Sequence, residues 1–549
     1  MFKLPRLVVL GLLALPLQAE EKPVPRLAVV IAVDQMRADY LVKFRPYFGA
    51  GGFKRLLEGG ADFQNCHYQH AVTKTAPGHA TILSGVNANI HGIIANEWVD
   101  RTTFMQGNSV EDVDSPLVGL PPRVDRYANA TLAAKAGRSP RNFLGTTVGD
   151  RLKARYGAAA KVFGVADKDR SAILLAGPKA DGAYWTEEGI FVTSTYYRPA
   201  LPAWVQEFNA RRNAAEYAGR TWDRLREKEL YDHVQGPDAA EGEEGDTRLP
   251  KRLLSPDGPL GSASFYGDFD RTPWNNDLVA DMARRTLEAE QLGQDDIPDL
   301  LTVGFSQPDA VGHAYGPDSH EVMDSYLRLD RTLAQFLAFL DARVGAGRWV
   351  LVLTADHGVA PLPERLWAEK GEDAAGRIKG RELDAQVKSA LDDAFGPLPD
   401  PLFWAVRDNS GYHLNPRALA AKNLPPDRGA AVVQAALQGH PQIATAYTRT
   451  QLTGAAPLDA IGEMTRRSYY PARSADVLFV ERPFFLIRVL GTTHGSPYDY
   501  DTHVPQVWFG AGVKPGVHSE GVAVEDLAPT LAWLLGVELP PEAKGRRLF

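Results

Sequence analysis

The chemistry open to this chain rests on a few acids and imidazoles. Asp309 and His313 stand four residues apart, Asp356 and His357 are adjacent, and Asp34 and His494 lie far from both pairs and from each other. Divalent cations of hard to borderline character take carboxylate oxygens and neutral imidazole nitrogens, so these residue types converging on one point would make a metal site. His494 sits in Gly491-Thr492-Thr493-His494-Gly495-Ser496, where the flanking glycines let backbone and ring approach an ion. His503 competes for that role and lacks the glycines. The set divides into Asp34, Asp356 and His357 with one hydroxylate for a first ion, and Asp309, His313 and His494 for a second. Two ions about 4 Å apart can stabilise the attacking and leaving oxygens of an in-line phosphoryl displacement.

Such a centre needs a nucleophile, and Thr73-Lys74-Thr75-Ala76-Pro77-Gly78-His79-Ala80-Thr81 offers one. Proline suits the first turn of a helix, where its missing N–H has no partner in any case, so a helix is expected from around Pro77 to near Gly85. Thr75 then lies at or beside the N-terminus, whose free N–H groups and positive dipole end favour an oxyanion and the alkoxide form of a hydroxyl. A nearby cation would lower the hydroxyl's pKa further. The alternative is that Thr75 merely caps the helix. Thr73 is the second choice of nucleophile. Lys74 is expected to point away from the reacting centre, His79 to pack or hydrogen-bond behind it, and His67 and His70 to be surface or packing histidines.

The elements that must position these groups read as an α/β fold. Residues 27–33 are a continuous apolar, branched run followed at once by Asp34; residues 299–305 lead to Asp309 and His313; residues 349–354 lead to Asp356 and His357. Continuous apolar runs of this length suit central strands covered on both faces, and ligands in open α/β sheets gather beyond the carboxyl ends of strands. Apolar residues at helical spacing over 319–344 predict a crossover helix between the last two strands. The expected architecture is a doubly wound, mostly parallel central sheet flanked by helices, with a smaller insertion or cap domain. The main domain would cover 20–360, with a surface insertion at about 180–260; a smaller domain, with a strand-like run at 402–406, would fill 361–482; and 483–549 would return to the main sheet through strand-like runs at 484–490 and 504–509. An acidic-start helix is expected over 525–535, closed by Gly536.

Composition bounds the rest. The 44% hydrophobic and 23% charged residues are ordinary for a globular protein, and a net charge of −8 with no basic run excludes nucleic acid as a specific partner. Residues 1–19 have the parts of a secretory signal: Lys3 and Arg6, an apolar run over 7–17, and Ala19 before Glu20. That run is too short for a comfortable membrane span, and no later stretch is long and apolar enough to provide one. The expected destination is the periplasm or the outside of the cell. The single cysteine, Cys66, excludes an internal disulfide framework.

Taken in order, Asp34, Thr75-Ala76-Pro77-Gly78-His79, His91-Gly92-Ile93-Ile94-Ala95-Asn96, Asp309 with His313, Asp356-His357-Gly358, Thr493-His494-Gly495 and Asp526-Leu527-Ala528-Pro529-Thr530-Leu531 resemble the ordered motifs of the alkaline phosphatase superfamily. The resemblance is to its threonine-nucleophile branch, which also contains the nucleotide pyrophosphatase/phosphodiesterases, and it spans nearly the whole mature chain. It implies two zinc ions at the groups named above and a covalent phosphothreonine at Thr75. It disfavours sulfatase activity, since Thr75-Ala76-Pro77-Gly78-His79 departs from Cys/Ser-x-Pro-x-Arg.

A phosphate monoester carries two negative charges and calls for cationic donors beyond the metals. Lys168 and Arg170, two apart after a strand expected at 161–165, would point the same way in extended chain. Periplasmic monoesterases of this superfamily have a similar Lys-x-Arg pair, with an asparagine matching Asn96, facing the phosphate. Hydrolysis of small phosphate monoesters is therefore the expected activity. A phosphodiesterase or nucleotide pyrophosphatase with the same centre, or a non-catalytic phosphate or metal binder, is the alternative. The acidic turn Tyr498-Asp499-Tyr500-Asp501 is noted as a possible place for a calcium ion.

Overall fold

The computed structural model describes residues 24–120, 124–125, 130–131, 135–255, 261–408 and 411–549. The expected leader lies outside the described residues.

The site is carried by one mixed sheet, of eleven strands among the described residues. We label seven of them in chain order: β1 Leu27–Val33, β2 Ala61–His67, β3 Val162–Ala166, β4 Gly182–Glu187, β5 Asp299–Phe305, β6 Trp349–Thr354 and β7 His503–Gly510. Across the sheet they run β2, β7, β6, β1, β5, β3, β4. The five from β6 to β4 are parallel. β7 runs against both β6 and β2, so β2 again points the same way as the parallel set. All seven residues of β1 and of β5 and all six of β6 are buried, as central strands covered on both faces must be. Each such Leu, Ile or Val contributes about 1.5–3 kcal/mol by leaving water.

Register turns this sheet into a scaffold. Ala32 pairs with Gly304 on one side and Thr354 on the other, and Gly304 pairs with Ala166. Two residues further on, Asp34, Ser306, Asp356 and Lys168 therefore come level at the carboxyl edge. Five helices matter here: α1 Thr75–Ser84, α2 Asp169–Ala176, α3 Gln307–Tyr315, α4 His320–Leu340 and α5 Leu527–Leu534. α4 is the expected crossover, its N-terminus capped by Ser319, whose side chain accepts from the Val322 N–H. α5 follows the acidic 524–526 turn, and Gly536 beyond it adopts φ +65°.

Three expectations about the outer parts change. Residues 182–194, placed at the start of a surface insertion, instead add β4 and the antiparallel strand Ile190–Ser194 to the sheet's edge. Their apolar alternation packs Ala183, Trp185 and Val192 against Ala172 to Leu174 of α2, so they belong to the core. Residues 484–490 do not rejoin the central sheet. Only Phe485–Leu486 is extended, and it pairs with Gly376–Arg377, because Phe485 buries itself in the smaller core. That smaller core, with Leu383, Trp404, Val433 and Leu437, lies under an antiparallel sheet ordered Ala405–Arg407, Gly411–Leu414, Val477–Glu481, Ile443–Thr448. The strand expected at 402–406 is thus shifted to 405–407.

Candidate active site

Four of the parallel strands end at the same edge, and each delivers a polar group there: Asp34 after β1, Lys168 after β3, Asp309 in the first turn of α3 after β5, and Asp356 with His357 after β6. β2, pointing the same way, leads to α1 and Thr75. β7 runs oppositely, so the segment before it, with His494, arrives at that edge too. The donor atoms of Asp34, Asp356 and His357 all lie within 4.8 Å of one another, and so do those of Asp309, His313 and His494. His313 reaches its group because α3 brings positions i and i+4 onto one face, with its Nε2 3.3 Å from Asp309 Oδ1. His503 is elsewhere: its ring stacks on His67 at 4.5 Å and its Nε2 meets the Gln64 carbonyl.

Thr75 is buried, with Oγ1 3.4 Å from His357 Nε2. The helix starts two residues earlier than Pro77. Lys74 is extended at φ −118° and ψ 160°, and the Gly78 N–H already donates to the Lys74 carbonyl at 2.9 Å. Thr75 is thus the first residue inside α1, its hydroxyl beside the free N–H end, and the capping position belongs to Lys74, whose side chain makes no capping hydrogen bond. Asn96 Oδ1 accepts from the Ala76 N–H at 2.7 Å, which fixes the amide beside Thr75 and leaves its own N–H groups as donors. His79 Nδ1 sits 2.8 Å from the Thr75 carbonyl and 3.3 Å from Asp356 Oδ2, behind the reacting hydroxyl. Thr73 is occupied: its hydroxyl donates to the Ser496 carbonyl and its carbonyl accepts from His494 Nδ1 at 2.7 Å. Lys74 turns to the His494 carbonyl at 2.6 Å. His70 is fully buried, its Nδ1 2.8 Å from Asn87 Oδ1.

Lys168 and Arg170 do not share the face of a strand. Lys168 is the last extended residue, at φ −81° and ψ 139°, and Arg170 is already in the first turn of α2, because the helix begins at Asp169. Lys168 Nζ lies 2.6 Å from both Asp34 Oδ2 and Asp309 Oδ2, touching one acid of each group. Arg170 is close enough for its charge to oppose that of Lys168, and its Nε is buried without a hydrogen-bond partner among the described residues.

The electrostatics suit divalent cations. Burial, then the charges of Asp309 and Asp356, push the Asp34 carboxyl well above its ordinary range. Burial would raise Asp309 too, but His313, Lys168 and His494 outweigh it and hold that carboxyl well below. Asp356 is likewise held down, against burial, by His357 and His79. Burial lowers His357 to about 4, and it lowers His313 and His494 as well, which favours the neutral imidazole that a metal takes. Three buried carboxyl groups thus surround a single ammonium, that of Lys168. Among the described residues Asp34 Oδ1 and Asp356 Oδ2 accept no hydrogen bond, and buried acids in that condition are stabilised by a cation. The residues present fit two divalent ions.

One contributor was missed. Gln35, at φ 67°, donates from its N–H to Asp356 Oδ1 at 3.1 Å and from Nε2 to Asp309 Oδ1 at 2.6 Å, joining the two groups. Its only sequence signal is its place after Asp34, and Gly312 makes room for it: a Cβ there would stand 1.8 Å from Gln35 Oε1. In the acidic turn at 498–501, Asp501 is buried and its Oδ2 accepts three hydrogen bonds, which gives this residue a structural use.

Residues 28–487 match the family described as type I phosphodiesterase / nucleotide pyrophosphatase. The chain is 33% identical to alkaline phosphatase PafA of Elizabethkingia meningoseptica, covering 98% of this chain and 96% of that one. It is equally 33% identical to a Myroides odoratus protein named calcium-transporting ATPase, over 95% and 94% of the two chains. To alkaline phosphatase PhoV of Synechococcus elongatus it is 32% identical, over 95% and 92%. A crystal structure of PafA superposes with a TM-score of 0.86 over 96% of this chain and 99% of that one. Among the described residues no helix is long and apolar enough to cross a membrane.

Proposed function

The chain belongs to the type I phosphodiesterase / nucleotide pyrophosphatase family, and from that premise we propose a phosphothreonine mechanism at a two-zinc centre in an exported enzyme. Whole-length likeness to alkaline phosphatases makes the chain a phosphomonoester hydrolase. The observation that carries the mechanism is the convergence of two carboxylate–imidazole groups on either side of Lys168, with the Thr75 hydroxyl beside one of them.

Ions held by Asp34, Asp356 and His357 and by Asp309, His313 and His494 would supply Lewis acidity at the attacking and leaving oxygens respectively. Thr75 Oγ1, its proton lost to solvent, attacks phosphorus as the P–O bond to the leaving oxygen breaks and the alcohol departs with a proton from water, the negative charge on Oγ1 being favoured by the N-terminal end of α1. The Asn96 amide, Lys168 and Arg170 hold the non-bridging oxygens, where charge is concentrated in a monoester. Lys168 exchanges its contacts with Asp34 and Asp309 for the phosphate. Water or hydroxide then attacks phospho-Thr75 from the side the leaving group has vacated, which makes alkaline pH favourable and releases phosphate. The enzyme would act on small phosphate monoesters in the periplasm or outside the cell.

The test is chemical trapping. Wild-type protein quenched in acid during turnover of a nitrophenyl phosphate should carry one phosphate on Thr75 by mass spectrometry, and metal analysis should find two zinc ions per chain. A Thr75→Ala chain that retains most of the monoesterase activity would end the proposal. The family also holds diesterases, and the paired cations at Lys168 and Arg170 favour the monoester; comparing a nitrophenyl monoester with its methyl diester decides between them.

A further inference from the structure

Asp501 belongs to neither ligand group, yet it touches the loops that carry an imidazole of each. Its Oδ2 accepts from the Gly495 N–H at 3.0 Å, the Ser496 N–H at 2.8 Å and the Ser496 hydroxyl at 2.6 Å. Those two residues directly follow His494. The ring is held from the other side as well: His494 Nδ1 donates to the Thr73 carbonyl at 2.7 Å, which leaves Nε2 as the free donor atom. Lys74 Nζ donates to the His494 carbonyl at 2.6 Å. Glycine is required at 495 because the backbone there has φ +122°, which L side chains rarely adopt. Through its backbone, the same 500–501 turn meets the other group. The Asp501 carbonyl accepts from the Gly358 N–H at 2.7 Å and the Tyr500 carbonyl from the Val359 N–H at 2.8 Å. Gly358 in turn receives His357 Nδ1 on its carbonyl at 2.9 Å.

We propose that Asp501 is a positioning residue of the metal centre: its carboxylate fixes the turn after His494, and so aims that imidazole at the ion shared with Asp309 and His313. The inference rests on the two-ion reading above. Because only the backbone of 500–501 meets the His357 segment, removing the carboxylate loosens one ion and spares the other.

Zinc-loaded full-length protein is titrated with a chromophoric chelator. Wild type should release two ions. Asp501→Ala should release one of them about 10–100 times more readily, the usual cost of losing an outer partner of a ligand, and leave the second as in wild type. Asp501→Asn, whose Oδ1 can accept from the same two N–H groups, should restore most of the lost affinity. In a His494→Ala background Asp501→Ala should have no further effect, which identifies the loosened ion. Should Asp501→Ala fail to fold, Ser496→Ala, which removes the 2.6 Å bond, should loosen the same ion to a smaller degree. Unchanged release from both variants, or equal loosening of both ions without rescue by asparagine, overturns the inference. A wild-type chain that takes up fewer than two ions defeats the two-ion reading instead.

Discussion

The two candidate ligand groups are built by different means. Asp34 and Asp356 stand level on neighbouring strands, β1 and β6, and His357 is the next residue, so that group is set by sheet register and is wholly buried. Asp309 and His313 share a helix face, and their third partner arrives on a loop, held by Asp501, Lys74 and Thr73. Register cannot yield without unpairing strands, whereas a loop held by side chains can be released one contact at a time. The first group should therefore be all-or-none and the second graded.

The largest expected effect tests the first half of that contrast. Asp356→Ala should lower monoesterase kcat by on the order of 10⁴-fold, the scale seen when one member of a catalytic unit is lost, and acid quenching should recover no phosphothreonine. A trapped phosphoenzyme in that variant would show that the strand-end group does not serve the nucleophile. Next comes the pair that touches both groups. Replacing Lys168 and Arg170 together with alanine should cut kcat/KM for a monoester by about 10²–10³ while a methyl diester changes by less than about tenfold, measured side by side with nitrophenyl substrates.

His494→Ala probes the graded group. The loss should be about tenfold for a nitrophenyl leaving group and about 10² for an alkyl one, because a poor leaving group depends more on charge stabilisation at its oxygen. Equal losses on both would move that group away from the leaving oxygen.

The smallest effect concerns pH. Burial pushes the Asp501 carboxyl from 3.8 up to about 7, against its hydrogen bonds from Ser496 and the charge of Lys74. A carboxyl whose pKa is raised by folding holds its proton more tightly when folded, so ionising it costs stability that grows as pH rises from about 4 through about 7. Metal-free Asp501→Asn should accordingly melt a few degrees above wild type at about pH 8 and at the same temperature near pH 4, by calorimetry. A gain at acid pH alone would reverse the sign.

How much of this could be read from the chain follows from the same contrast. Strand ends declare themselves, since an unbroken apolar run that stops at an acid, as at Asp34 and Asp356, has only one place to put the charge. The helical pair Asp309 and His313 was equally plain from its spacing. Lys168 and Arg170 are legible as two neighbouring cations, but their relation is not: nothing in Asp167 to Arg170 says that the helix starts at once. Gln35 is not legible because it acts through Asp309 and Asp356, distant in sequence, and Asp501 is legible only as one acid of a turn, since a lone acid or amide there carries no periodic signal. The strand Ile190–Ser194 is illegible for a related reason, its identity depending on the packing of Trp185 and Val192 against α2.

The donors run from residue 34 to residue 494 of a 549-residue chain. A polypeptide emerging from the ribosome, or threading through a pore, has no means of closing the second group until nearly all of it has been delivered. Nor can a truncated fragment preserve a reduced version of the reaction. Turnover is thus a statement that the whole molecule has been made and folded, and an enzyme arranged in this way stays silent toward phosphate esters until then.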